Sequence, residues 1–336
     1  MKVLSLFDGM ACGMIAMQFA GMEVESYDAY EIDKYAIKTA QHNFPMIKEH
    51  GDVFEADFTQ YEGVDFLIGG SPCTYWSIAQ TKNRETVASG MGWELFSQYV
   101  RALHEAKPKY FIYENNKSMS KDIRASIDKT FGFEAVLINS ALVSAQNRQR
   151  LYWVGKRNDD GTYSKVMVDQ PEDRGILLRD ILESGIAWHE KSYCITATEY
   201  KGSNPQQTLT KHRRTMVAEP VEPRCVAQCG RYPENPKLRV AGLPTEQMFE
   251  AREDGKTHQV YEVRNGLITI KGKQYPIKLK DGYYIIRKLT VRECMRLQTV
   301  PEWYEFPVSN SQAYKMLGNG WTVDVIAHIL EGLKEA

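Results

Sequence analysis

Cys73 stands in a stretch, Leu67 to Ser77, that reads Leu-Ile-Gly-Gly-Ser-Pro-Cys-Thr-Tyr-Trp-Ser. A short apolar strand, Asp65 to Ile68, runs into Gly69 and Gly70, which allow a sharp turn and the close approach of another group. Pro72 stiffens the chain immediately before the thiol. A cysteine on a rigid shelf at the carboxyl end of a strand is placed for nucleophilic chemistry, because ligands of open α/β sheets bind there. Taken alone, Cys73 could equally be an inert core thiol. Its context adds partners. A strand from Lys109 to Tyr113 delivers Glu114 and Asn115 at its carboxyl end, and a carboxylate beside a nucleophile can handle a proton. In Gln146-Asn147-Arg148-Gln149-Arg150, the two arginines alternate, so on extended chain they share one face. Two guanidinia beside a cleft suit an anion or a carbonyl; the alternative is a surface salt-bridge pair.

These groups need a frame, and the first 157 residues read as one. Lys2 to Leu6 is a strand, Phe7 to Gly13 a glycine-bearing turn, and about Met14 to Ala20 an apolar helix closed by Gly21. That order opens a nucleotide-binding α/β unit, although Gly9 and Gly13 lack the G-x-G-x-x-G spacing of the dinucleotide fingerprint. The second strand, Glu23 to Tyr30, ends in Glu31-Ile32-Asp33. An acid there commonly binds ribose hydroxyls; Asp33 occupies the N-cap position of a helix from Lys34 to about Asn43, which leaves Glu31 for the ribose. Asp52 and Val53 follow a further short strand region. Thr74 to Gly92 is long, polar and aperiodic, as a lid beside an active site would be. Trp93, Phe96, Tyr99, Val100 and Leu103 recur at helical spacing as core. A helix over Lys121 to Thr130 and strands over Glu134–Asn139 and Leu151–Lys156 complete the frame.

The alternation of strand and helix stops after Arg157. Prolines punctuate the chain to about Tyr284, and residues 158–286 are expected to form a smaller, irregular, β-rich domain. Its most basic stretch is Thr208 to Arg214. Ile268 to Ile286 reads as two strands carrying Lys271, Lys273, Lys278 and Lys280. Such charge suits phosphate contacts, or simply a solvated surface. Helical periodicity returns over Lys288 to Val300. Gly318-Asn319-Gly320 then opens an apolar helix through Val323, Ile326, Ile329, Leu330 and Leu333, so residues 287–336 return to the first domain.

The whole chain sets outer limits. At 336 residues it holds two domains. Its net charge is −1, so any basic surface must be local. Met1 to Met10 has no long apolar core and there is no run of 18 apolar residues, so neither an export signal nor a membrane span is expected. Six cysteines without an export signal point to free thiols in a reducing, cytoplasmic setting. Cys225 and Cys229 are spaced C-x₃-C with no second pair, short of the four ligands usual for zinc, so no metal is expected.

With these pieces placed, the chain resembles the DNA cytosine-5 methyltransferases of bacterial or phage type, over roughly 1–157 and 287–334 and in the family's motif order. Phe7, Asp8, Gly9 and Gly13 resemble its S-adenosylmethionine turn. Gly-Gly-Ser-Pro-Cys at 69–73 resembles the nucleophile motif, Glu114-Asn115 the acid motif, Gln146-x-Arg148-x-Arg150 the arginine motif, and Gly318-Asn319-Gly320 the final cofactor turn. The resemblance implies cofactor contacts at Glu31, Ile32, Asp52, Val53, Ser71, Pro72, Asn319 and Trp321 as well. It implies contacts to the target strand at Thr74, Ser77 and Asn115, and it makes 158–286 a target-recognition domain in which Lys211, Arg213 and Arg214 meet DNA. The implied fold is α/β: a doubly wound, Rossmann-like methyltransferase domain with that smaller domain inserted. Three departures stand out: Thr74-Tyr75 after the cysteine, Asn116 where valine usually follows Glu-Asn, and Gly320-Trp321 in place of serine-valine. The last is similar to the branch that includes the animal de novo enzymes.

The implied chemistry has Cys73 add to C6 of a cytosine flipped out of the double-stranded DNA, so that C5 can attack the methyl of S-adenosylmethionine. Glu114 would bind N3 and the exocyclic amine, Arg150 would hold O2, and Arg148 would support the nucleophile or the base. The expected actor is a monomer on double-stranded DNA, nucleoid-associated and away from membranes. Two other readings use the same residues or fold: an RNA cytosine-5 methyltransferase, and a DNA-binding regulator without turnover.

Overall fold

The computed structural model describes residues 1–78, 84–201, 205–211, 213–221, 248–251 and 257–334; His212, Cys225 and Cys229 lie outside them. Eight strands form the first sheet: β1 (Lys2–Leu6), β2 (Ser26–Tyr30), β3 (Lys48–Glu49), β4 (Phe66–Gly69), β5 (Tyr110–Asn116), β6 (Val136–Asn139), β7 (Gln149–Arg157) and β8 (Tyr163–Lys165). Their order is β3-β2-β1-β4-β5-β7-β6, with β8 paired to β7. Strands β3, β2, β1, β4 and β5 are parallel. β7 is antiparallel to β5, β6 and β8.

Period-two alternation explains why the strands are so apolar. Val3, Phe66, Ile68, Tyr110 and Ile112 point to one face, where helices Cys12–Phe19 and Val323–Lys334 pack. Leu4, Leu6, Leu67, Phe111 and Tyr113 point to the other, against helices Met91–Ala106 and Lys121–Phe131. Both faces are covered, so a strand such as β4 is buried at every residue. The chain leaves β1 toward β2 on one side while β4 lies on the other. Strand order therefore reverses between β1 and β4, and the crevice beyond their carboxyl ends is where such sheets bind ligands.

Antiparallel strands β9 (Met216–Val221), β10 (Met248–Ala251), β11 (Thr257–Arg264), β12 (Leu267–Ile270), β13 (Lys273–Pro276) and β14 (Gly282–Lys288) form the second sheet, in the order β13-β12-β11-β14-β9 with β10 on β11. It has its own apolar cluster, which includes Trp188, Val263, Ile268, Ile270 and Tyr284. Where two strands were expected over Ile268 to Ile286, three are found. Lys271 and Gly272 both have positive φ, 53° and 74°, and close a two-residue hairpin between β12 and β13.

The first sheet and its core take up residues beyond Arg157. β8 pairs with β7 in the first sheet. Leu178 and Ile181 join the same apolar cluster as the C-terminal helix. β14, at the other end, runs on to Lys288. No helix among the described residues is long and apolar enough to cross a membrane.

One glycine lets the segment at Thr196 and Ala197 close onto the C-terminal turn. A Cβ on Gly318 would collide with the backbone of Thr196 and Ala197, and backbone cannot swing aside as a side-chain tip can. Gly318→Ala is expected to lower the unfolding free energy by about 3 kcal/mol, the upper end of the overpacking range. Urea denaturation checks this, and parental stability would contradict the packing described.

Candidate active site

A cavity of about 320 Å³ opens at the reversal between β1 and β4. Its walls include Phe7, Asp8, Gly9, Glu31, Ile32, Ser71, Pro72, Cys73, Thr74, Glu114, Arg148, Arg150, Asn319 and Trp321. The sheet thus gathers residues separated by over 300 positions into one space.

The turn after β1 builds one end. Phe7 has φ 59°, uncommon for an aromatic residue and typical of backbone held under constraint at ligand sites. Gly9 follows with φ 63°. Glu31 ties this turn to the end of β2: it accepts from the Gly9 N–H at 2.9 Å and from those of Ile32 and Asp33 at 2.8 Å each. Ile32 beside it is 74% exposed, an apolar wall without a partner. Asp8 accepts from the Ser5 and Tyr27 hydroxyls, each at 2.6 Å, through one carboxylate oxygen. Its other oxygen is buried with no partner. Burial pushes the Asp8 carboxyl up to about 6 against the pull of those two hydrogen bonds, and the charge of Glu31 adds to the rise.

The shelf builds the other end. Cys73 begins a single 3-10 turn after Pro72 and is half-buried. Gly70 lies so close to Glu114 that a Cβ would come within 2.7 Å of its carbonyl oxygen. The Glu114 carboxylate is gripped from two sides, by Arg150 Nε at 3.0 Å and by the Trp321 indole N–H at 3.0 Å. Burial pushes the Cys73 thiol up; Arg150 draws it back, Glu114 pushes it up further, and Arg148 draws it back.

Arg148 is 3% exposed and works as a clamp. It donates to the carbonyls of Gly318 (3.3 Å), Gly320 (2.7 Å) and Ile195 (3.3 Å) and to Cys194 Sγ (3.3 Å). Gln146 supports it by accepting from the Ile195 N–H at 2.8 Å. Gln298 adds bonds to the Leu317 and Gly320 carbonyls.

Several expected residues take other places. Gly13 does not line the cavity; it makes room for Ile68 and for the Tyr27 hydroxyl, which a Cβ would approach to 2.8 Å. Asp52 caps the short turn Val53–Glu55 by accepting from the Phe54 N–H, and Val53 is buried in the core. Asn115 faces away from Glu114, as alternation along β5 requires. Its amide donates to the Ser71 carbonyl at 3.1 Å and to the Tyr113 hydroxyl at 3.2 Å, so it holds the shelf from behind. The Ser77 N–H closes the turn onto the Cys73 carbonyl at 2.9 Å. Lys211, Arg213 and Arg214 sit on the smaller domain, away from the cavity lining. Arg213 is exposed, whereas Arg214 donates to Thr198 Oγ1 at 2.9 Å.

A family profile described as C-5 cytosine-specific DNA methylase matches residues 1–335. The chain belongs to that family. The type II methyltransferase M1.ScrFI of Lactococcus lactis subsp. cremoris is 30% identical over 361 residues, spanning 99% of this chain and 78% of that protein. The type II methyltransferase M.HhaI of Haemophilus parahaemolyticus is 25% identical, over 98% of this chain and 93% of that protein. In fold, this methylase is similar to the Dnmt2 methyltransferase of S. pombe, with a TM-score of 0.58 and 15% identity over 99% of this chain and 98% of that one. A DNMT2 variant from Spodoptera frugiperda gives 0.60 and 17%, over 99% of both chains.

Sequence reasoning missed Cys194, Gln298 and Tyr113 in this methylase. None carries a spacing signal, because each acts through a contact across domains or strands. It also missed Glu49, whose carboxylate oxygens are both buried without partners. Burial pushes Glu49 up to about 8, with the charges of Asp8 and Glu31 adding to the rise. Between about pH 4.5 and 8 the folded protein therefore holds a proton that the unfolded chain has lost, so stability falls as pH rises through that window. Glu49→Gln is expected to be more stable than the parent at pH 7 and level with it at pH 4. Thermal unfolding at the two pH values checks this; an equal difference at both would contradict it.

Proposed function

We propose that this methylase moves a methyl group from S-adenosylmethionine to C5 of cytosine within a specific double-stranded DNA sequence, through a bond between Cys73 and C6 of a flipped-out base. What carries the reading is one cavity that holds the Cys73 shelf and the Glu114–Arg150 pair at one end and the Phe7–Glu31 turn at the other. The second end fits the methyl donor. The unpartnered oxygen of Asp8 suits its cationic part, Glu31 suits ribose hydroxyls and the open face of Ile32 suits an adenine ring. Bound S-adenosylmethionine supplies an electrophilic methyl group.

The residues divide the work as follows. The Cys73 sulfur adds to C6 and forms the S–C bond, and the C5–C6 electron pair moves toward N3 and makes C5 nucleophilic. Glu114, held by Arg150 and Trp321, faces N3 and the exocyclic amine, where it can handle the proton this shift requires. Arg150 holds O2. Arg148 fixes the turn at 318–320 so that Asn319 and Trp321 keep their places. Loss of the C5 proton after methyl transfer returns an electron pair, breaks the S–C bond and frees Cys73.

Cys73→Ser is expected to abolish transfer while DNA binding persists, since the hydroxyl is a far weaker nucleophile. Bisulfite sequencing of DNA from a methylase-deficient host, paired with in vitro transfer to DNA and RNA, checks it. Activity above about one percent of the parent would remove Cys73 from its role, and transfer to RNA alone would overturn the DNA reading.

The smaller domain is proposed to choose the target. Arg213 is exposed and Arg214 is bonded within the protein, so Arg213 is the better phosphate contact. Arg213→Ala should weaken binding to all sequences alike and reduce the salt slope by about one. A relaxed preference at a single base pair would instead mean that Arg213 reads a base.

A further inference from the structure

Arg148, immediately before β7, and Arg150, within it, lie two residues apart, and both reach the same sulfur. Cys194 Sγ accepts from Arg148 Nη1 at 3.3 Å and from Arg150 Nη2 at 3.8 Å. The thiol belongs to the segment whose neighbours, Thr196 and Ala197, lie against Gly318. It is half-buried, as Cys73 is. Two guanidinia side by side repel, and a sulfur shared between them can offset that repulsion.

We propose that Cys194 is a positioning residue for methyl transfer: its sulfur steadies Arg150 against Glu114 and draws on the same guanidinium charge that Cys73 depends on. The proposal rests on the reading of Cys73 as nucleophile. Thiols beside arginines ionise readily. Burial opposes ionisation of Cys194, but Arg148 and Arg150 outweigh it and hold the thiol below its ordinary range. Cys73 has the opposite balance. Burial raises it, Arg150 and Arg148 pull it down, and both Glu114 and Cys194 push it up. The groups that face this pair are thus Arg148 just before β7, Arg150 from β7, Glu114 from β5, and Tyr152, which feels Glu114, Arg150 and Arg148. The sign follows. Removing the Cys194 charge leaves the guanidinia free to favour the Cys73 thiolate, so Cys73 should ionise at lower pH while Arg150 loses its steadying contact.

The test is the pH dependence of iodoacetamide labelling of the full-length protein, read for each cysteine peptide by mass spectrometry. In the parent, Cys194 should label at lower pH than Cys73. In Cys194→Ser, which keeps a hydrogen-bonding atom without the charge, the Cys73 midpoint should fall to lower pH. Its kcat should fall while KM for DNA stays, the pattern of an interaction that matters in the transition state. A purely structural role would lower the melting temperature and leave the Cys73 midpoint where it was. Should Cys194→Ser fail to fold, Cys194→Ala and the labelling order in the parent still decide. Cys73 labelling before Cys194 in the parent, or an unchanged Cys73 midpoint in a folded variant, would overturn the proposal. Retained transfer in Cys73→Ser would instead sink the nucleophile reading, whatever the labelling shows.

Discussion

The ion pair between Arg150 and Glu114 holds the site together, and it exists because β7 runs antiparallel to β5. Register pairs Glu114 with Tyr152 and Asn116 with Arg150, so Arg150 and Glu114 are diagonal neighbours on one face, within reach for long side chains. Their side chains are only 15% and 12% exposed. Removing either would strand a largely buried charge, which is far costlier than losing an exposed pair. The Trp321 indole closes the other side of the carboxylate. Once Glu114 is fixed, Gly70 lets the shelf rest directly on it, and Asn115 holds that shelf from behind. The nucleophile is therefore positioned by a strand to which it is not joined.

Arg148 extends the same logic across the molecule. One buried guanidinium bonds carbonyls at 195, 318 and 320, parts of the chain that meet only in the folded state. It fastens the segment at Ile195 to the turn that carries Asn319 and Trp321. Gly318, stripped of a side chain, lets that contact close. The donor end and the base end of the cavity thereby share their supports.

Much of this was legible in the chain because it is local. Strands β1, β4 and β5, the turns at Phe7 and Gly70, and the N-cap at Asp33 follow from side-chain periodicity and turn chemistry within a few residues. What was hidden depended on ambiguity or on distance. Aspartate suits both a turn cap and a ligand contact, and at Asp52 the structure shows the cap. Glycine serves both turns and close packing, and at Gly13 packing won. Prolines through the middle of the chain suggested irregular structure, yet Pro220 sits within β9, at the edge of its sheet, where a missing N–H is tolerated. The Asn265-Gly266 pair, a strong hairpin signal with positive φ at both residues, closes the turn between β11 and β12. Cys194 could not be read at all, because nothing near it in sequence marks the two arginines it meets.

The central claim is a covalent bond between Cys73 and C6 of the target cytosine, and trapping that bond tests it most directly. Duplex DNA with 5-fluorocytosine at the methylated position offers no C5 proton to lose, so Cys73 cannot be released after methyl transfer. Incubated with S-adenosylmethionine and digested, the complex should give a peptide spanning Cys73 that carries the methylated, fluorinated nucleotide. An adduct on any other residue, or full binding and cofactor turnover with no adduct, would contradict the account.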